Sequence, residues 1–230
     1  PTRIYVAKTF RAPARGRWHG FAEDREAEQL AVLGDLLFYR GDRVGLGDVL
    51  RHQLEQLRNK VDALSDQLFA EKSDEEIAAL IAGEQTIAPL VADFAGATAA
   101  VRETQVEVLD RFGLRHGSVR VAGLEATKTI PFTGDPNLWR LHPNYWSSNP
   151  PRGDVRGDKL VIGITVPADQ ADEAAQYIDR TIAQLPEYIT KQRALLDDHN
   201  ASLASQAMPS IKARRQRLGT ASDLLKKLGG

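Results

Sequence analysis

Two hundred and thirty residues without a cysteine, 42% hydrophobic and 27% charged, are enough for one sizeable core or two small ones. They exclude a disulfide-stapled secreted scaffold, a collagen-like repeat and a low-complexity tail. Thirty basic against 31 acidic side chains leave a formal charge of -1, so no global field draws the chain to nucleic acid or to an anionic membrane.

In chain order, Ile4, Tyr5, Val6 and Phe10 suit a short strand ahead of the breaker-rich residues 12–16. Over residues 21–39, Leu30, Leu33, Leu36 and Leu37 recur at helical spacing, and glycines 41, 45 and 47 end the helix. Asp48 is a suitable N-cap for the clearest periodic signal, a heptad helix over 48–71. Its seam is Leu50, Leu54, Leu57, Val61, Leu64 and Leu68, stepping by four and three in alternation. So narrow a stripe calls for a partner helix, in this chain or in a second copy. Ser73 and Glu76 form a capping box for a short helix ending near Gly83. Thr86 then caps a further helix reaching Gly113, with Ile87, Phe94, Val101, Val108 and Phe112 on its stripe and Pro89 in its first turn.

Between 117 and 167 the helical period gives way to strand signals. Val119 and Val121 alternate with polar or small residues, and Thr127, Thr129, Ile130 and Phe132 favour extended backbone. Residues 131–151 hold five prolines with Trp139, Tyr145 and Trp146, an ordered aromatic loop. Residues 156–159 make a tight turn into the best strand of the chain, 160–166, which is far shorter than the ~20 residues of a membrane span. Asp169 caps a final helix to about Leu218, with Ile178, Ile182, Leu185, Ile189, Leu196 and Leu203 in register and polar Gln192 and His199 at seam positions. Pro186 and Pro209 predict a kink or restart, Gly219 a stop, and Thr220 with Asp223 a last short helix. The expected class is α+β, mainly α, with long antiparallel, coiled-coil-like helices and a small antiparallel sheet. Residues 1–117 form the expected N-terminal helical region, and 118–230 a sheet with a kinked C-terminal helix.

Chemistry is sparse. Lack of cysteine removes thiolate catalysis and thiolate metal sites. The five histidines form no metal-ligand spacing, and the cluster Asp197, Asp198 and His199 fans out around a helix. The glycines near 41–47 lack the lysine and serine or threonine of a P-loop. No catalytic residue, metal or cofactor is therefore assigned.

Charge, by contrast, is unevenly placed. Residues 1–22 carry five bases and no acid, and residues 210–230 carry six bases against Asp223 alone. Such ends either meet a polyanion or fold back onto the acidic middle, and solvated ends with internal pairing are the favoured reading. The cations that would touch DNA or RNA are Arg11, Arg15 and Arg17, interleaved with Phe10, Trp18 and Phe21, and Lys212, Arg214, Arg215 and Arg217. Trp139, Tyr145 and Trp146 are either buried anchors or a contact patch, with packing under the sheet favoured.

The run 130–136, the proline-flanked run 149–160, then Ile189, Asn200, Leu203, the segment 211–218 and Leu228-Gly229 resemble a group of poorly characterised bacterial proteins. The likeness covers about residues 118–230. In that group this region precedes a domain resembling PD-(D/E)xK nucleases, whose acidic strand motif does not occur in these 230 residues. The resemblance implies an accessory region of a nuclease-like protein, and it transfers no active site.

The leading expectation is a cytoplasmic, non-enzymatic scaffold and regulatory module of a bacterial nuclease-like effector, possessing no membrane contact and acting as a homo-oligomer or with a partner protein. The seam residues and the aromatic loop would be its contacts. The alternatives are a nucleic-acid-sensing module using the basic ends and an enzyme with a dispersed site.

Overall fold

The computed structural model describes residues 31–42, 44–109, 118–143 and 149–229. In chain order these form β1 (Ala31–Val32), β2 (Asp35–Leu36), α1 (Leu46–Asp62), α2 (Asp66–Glu71), α3 (Asp74–Gln85), β3 (Val91–Ala92), β4 (Thr98–Leu109), β5 (Ser118–Thr133), β6 (Arg152–Arg156), β7 (Lys159–Pro167) and α4 (Ala171–Lys227). The fold is α+β, with a curled antiparallel sheet at one end of α4 and a helical cluster at the other.

The apolar strand 160–166 becomes β7, paired antiparallel with β5 over 159–167 and 123–131. The other edge of β7 carries two short partners end to end: β6 against 159–161 and β1 against 164–165. The outer edge of β5 is likewise shared, by β4 and by β3. β4 pairs along its whole length with β5, from Thr98 opposite Thr129 to Leu109 opposite Ser118. Since β7 stops at Gly123, the far part of this ribbon runs on as two strands.

Two expected helices are strands instead. Within the helix placed over 21–39, residues 31–32 and 35–36 are strand and 37–38 turn, with Phe38 at φ 54°, because their amides are taken outside any helix: Leu33 donates to Gly163 of β7, Leu37 to Pro151 and Phe38 to Trp139. The remainder of that helix, with the strand expected near Ile4, lies outside the described residues. Of the helix placed over 87–113, residues 91–109 are β3, a turn and β4, and 110–113 lie outside the described residues. Its apolar residues also fit a period of two, and the β-branched residues Thr98, Val101, Thr104, Val106 and Val108 prefer the pleat. The turn is fixed by the Asp93 carboxylate, which accepts from the Gly96 amide at 2.8 Å. Among the described residues the sheet accordingly has seven strands rather than a small number.

The heptad helix expected over 48–71 breaks after Asp62 and restarts at α2, where the Ser65 hydroxyl accepts from the Leu68 amide. Its seam finds a partner inside the chain: Leu57 and Val61 are buried with Ile77 and Ile81 of α3 and with Leu203, Ala207 and Ile211 of α4. The Ser73–Glu76 capping box forms as expected, with bonds of 2.8 and 3.1 Å.

α4 passes through Pro186, Pro209 and Gly219 as one helix to Lys227, so the expected restarts and the separate helix after Thr220 do not occur. Both prolines lie on its exposed side, where tilted carbonyls tolerate a missing amide donor. Its N-cap is Gln170 rather than Asp169, which sits in a single 3-10 turn. At about 1.5 Å per residue, its 57 residues span roughly 85 Å. It joins both hydrophobic clusters: Ala174 to Leu196 pack with the sheet, and Leu203 to Ile211 with α1 and α3. A boundary at 117/118 separates β4 from β5, the two strands of one ribbon, so packing does not divide the chain there.

Candidate functional site

The basic run near the C-terminus is built into the helical cluster. Arg215 donates through Nε to Asp74 and through its two terminal nitrogens to the carbonyls of Phe69 and Lys72. These are carbonyls at the end of α2, where no helical amide is available to them. Arg214 donates to the Leu64 carbonyl at 2.9 Å and to Asp66 at 2.8 Å, and Arg217 pairs with Asp62. Both the Arg214 and Arg215 guanidiniums lie over the Phe69 ring, at 5.4 and 5.6 Å from its centroid. Of the four candidate cations in this run, Arg214, Arg215 and Arg217 are thus occupied by the acidic middle of the chain, and Lys212 is exposed. Arg11, Arg15 and Arg17, like Tyr145 and Trp146, lie outside the described residues.

Trp139 is fully buried, 5.4 Å from the rings of both Phe38 and Phe132, while Phe38 also stacks on Tyr188 at 4.5 Å. It is an anchor of the core, which is the favoured of its two expected roles. Leu50, Leu57 and Val61 are buried, and Leu54, Leu64 and Leu68 are partly so. These seam residues are therefore internal contacts.

α4 also carries inward-facing polar side chains, Gln192 within the sheet-end cluster and His199 and Asn200 between the two clusters. Gln192 donates to the Leu138 and Leu141 carbonyls, His199 Nε2 meets Gln53 Oε1 at 2.7 Å, and Gln53 donates onward to the Gln85 carbonyl at 2.7 Å. Asn200 brackets Ile87, accepting from its amide at 3.1 Å and donating to its carbonyl at 2.9 Å. Burial holds the His199 imidazole below its ordinary pKa. It likewise raises the Tyr177 phenol, while the Ser73 amide and hydroxyl lower the Glu76 carboxyl. None of these groups meets the others in a cleft, and among the described residues no three metal-ligating side chains converge.

Two apolar surfaces have nothing packed on them among the described residues. The first is a groove of about 260 Å³ between the sheet edge and the start of α4, lined by Ala99, Val101, Leu124, Ala126, Ala175 and Ile178 among others. Its origin lies in the registers. Ile164, Ala126 and Val101 stand opposite one another on β7, β5 and β4 and so share one face. Burial falls along that row, from fully buried Ile164 through half-buried Ala126 to Val101, 67% exposed. α4 covers the middle of the sheet and leaves the β4 side open. The second surface is the last part of α4. Ile211, Leu218 and Leu225 are seven residues apart and lie on one helix face. Ile211 is buried, Leu218 is half-buried and Leu225 is 63% exposed. Leu224 and Leu228 are exposed beside it.

Both surfaces escaped sequence reasoning. The groove depends on the register of three strands, one of them read as a helix. The tail was legible in the 3-4-3 steps of Leu218, Ala221, Leu225 and Leu228, but Gly219 hid it by suggesting a stop. No protein-family model, curated protein or solved structure matches this chain. Among the described residues no helix is long and apolar enough to cross a membrane.

Proposed function

We propose that this chain is a non-catalytic assembly module: a strut that holds a folded body at one end and offers a helical contact at the other, working as a homo-oligomer. The observation that carries the reading is the leucine face of α4, which continues beyond the bundle that buries it and stays exposed at Leu224, Leu225 and Leu228. An apolar stripe at helical spacing with nothing packed on it among the described residues suits a protein contact. The seam over α1 does not support oligomerisation, since this chain supplies its partner. The resemblance of residues 118–230 adds the suggestion that the effector served by this strut is a bacterial nuclease-like domain. Arginines 214, 215 and 217 would have to give up internal bonds to meet a phosphate, so the nucleic-acid reading gains no support from them.

Sedimentation equilibrium from low to high micromolar concentration tests the reading. The weight-average mass should rise above the 25.3 kDa of one chain, and Leu225→Glu should return it to that value with the circular dichroism unchanged. A mass fixed at one chain throughout would overturn it.

A further inference from the structure

The two uncovered surfaces lie at opposite ends of one rigid helix. Ala175 in the groove and Leu225 on the tail are separated by 50 positions of α4, which at about 1.5 Å each is roughly 75 Å. A chain therefore cannot seat its own tail in its own groove, and each molecule presents both halves of a contact in the wrong place to satisfy itself.

The halves match in shape and chemistry. The groove is walled by small side chains, Ala99 and Val101 on β4 and Ala171 and Ala175 on α4, above a floor of Leu124 and Ala126. It is open on the side of β4, whose outer edge has no strand beside it among the described residues. Its 260 Å³ falls below the ~300 Å³ at which small-molecule pockets begin, a size suited to a few side chains entering from a helix. The tail supplies anchors at i, i+3/i+4 and i+7, namely Ala221, Leu224 with Leu225, and Leu228, the pattern by which a helix beds into an apolar groove.

Charge complements the fit. On the β4 wall, exposed Glu103 faces the same side as Val101. On the α4 wall stands Asp179, with Asp172 one heptad before it on the same edge; Lys128, the one cation among the described lining residues, pairs with Asp179 at 3.6 Å, an exposed pair that water weakens. On the tail, Lys226 and Lys227 project on opposite flanks of the leucine stripe. Lys226 also lies 3.8 Å from Asp223, an exposed pair that water weakens. A lysine thus stands ready for each acidic wall, fixing orientation while the leucines supply the affinity.

We infer that the tail of α4, residues 218–228, docks in the groove between β4 and the start of α4 of a second copy of this chain, so that copies join head to tail. The inference rests on the assembly reading above and gives it a geometry. Because the two patches differ, the contact is heterologous: a joined pair keeps one groove and one tail free at its two ends, and growth ends only if a ring closes.

Complementation between two surface variants tests it. Leu225→Glu removes the tail, and Ala175→Lys fills the groove and sets a cation where lysines must approach. Both positions are exposed, so folding is checked by circular dichroism and thermal melting. Each variant alone should sediment as a monomer, with association weakened at least tenfold. Their equimolar mixture should form a one-to-one dimer that goes no further, because each member keeps one intact half. If wild type associates and Ala175→Lys associates equally well, the tails pair with each other, and the head-to-tail geometry fails while the assembly reading stands. A mixture that stays monomeric overturns the geometry too. A wild-type chain that never exceeds one chain's mass removes both.

Discussion

Arg215 decides whether the basic run serves the fold or a ligand. Its guanidinium makes three charge-assisted hydrogen bonds, to Asp74 and to the Phe69 and Lys72 carbonyls, and covers the Phe69 ring. Charge-assisted bonds contribute about 1.5–3 kcal/mol each when desolvated, and a cation over an aromatic ring about 0.5–1. The side chain is 37% exposed and its bonds share one group, so they fall well short of additive, and Arg215→Ala should cost about 3 kcal/mol. Arg215→Lys keeps the charge but loses the fork, and should cost about half as much. In urea titrations followed by helical circular dichroism, with a slope near 2–3 kcal/mol per molar, the alanine variant's midpoint should fall by about 1 M. Exposed Lys212 is the control, and Lys212→Ala should stay within about 0.5 kcal/mol of the parent. The structural account is refuted if Arg215→Ala leaves the midpoint in place, above all if it also abolishes a salt-dependent affinity for DNA or RNA.

His199 should make the protein acid-sensitive. Its folded pKa lies below the ordinary value of about 6.5 that it regains on unfolding, so the unfolded chain binds more protons between the two values, and stability rises with pH there. Its contribution is therefore complete above about pH 6.5 and lost as pH falls toward the folded value; the urea midpoint should drop from pH 7.5 to pH 5, and by less in His199→Gln, whereas equal drops would remove His199 as the cause. Two glycines should separate backbone strain from crowding: Gly157→Ala, at φ 61° with open space around it, should cost about 1 kcal/mol, while Gly134→Ala, at φ 106° and with its new β-carbon overlapping the Pro89 carbonyl, should cost clearly more. Equal thermal shifts for the pair would contradict this ordering.

Local signals were legible where one residue decides the outcome. The Ser73–Glu76 box needs only two side chains three apart, and β7 is a run of β-branched residues that is continuous because both of its faces are covered. Periodicity failed where it was ambiguous. Val101 and Val108 are seven apart, a heptad on a helix, yet Thr104, Val106 and Val108 also alternate, and the choice is made by β5 lying alongside. The same competition settles residues 31–39, whose leucines fit a helix until the sheet takes their amides. Penalties intrinsic to single residues were overridden as well: Pro186, Pro209 and Gly219 do not end α4, because packing at Leu185, Ala207 and Ile211 stabilises the turns around them. Of the candidate site, the favoured pairing of the basic run with the acidic middle was readable from charge alone. The groove was not, since it exists only once three strands are in register and α4 is laid across two of them.

The inward-facing polar side chains give α4 the fixed register that a strut requires. An entirely apolar interface over so long a helix would allow neighbouring registers one turn, about 5.4 Å, apart to compete, because leucines repeat along it. Gln192, His199 and Asn200 remove that freedom by binding groups fixed on other elements: the Leu138 and Leu141 carbonyls beneath the sheet, the side-chain oxygen of Gln53 on α1, and both backbone groups of Ile87 between α3 and β3. A shift by one turn would leave the Leu141 carbonyl and the Ile87 amide and carbonyl without these partners, each at about 1–3 kcal/mol where buried. Gln192 acts from within the sheet-end cluster and His199 and Asn200 from the gap before the helical one, so both ends are tied to neighbouring turns of α4. The distance from the groove to the leucine tail is then set by a count of helical residues, which is the condition for successive copies to join at a constant spacing.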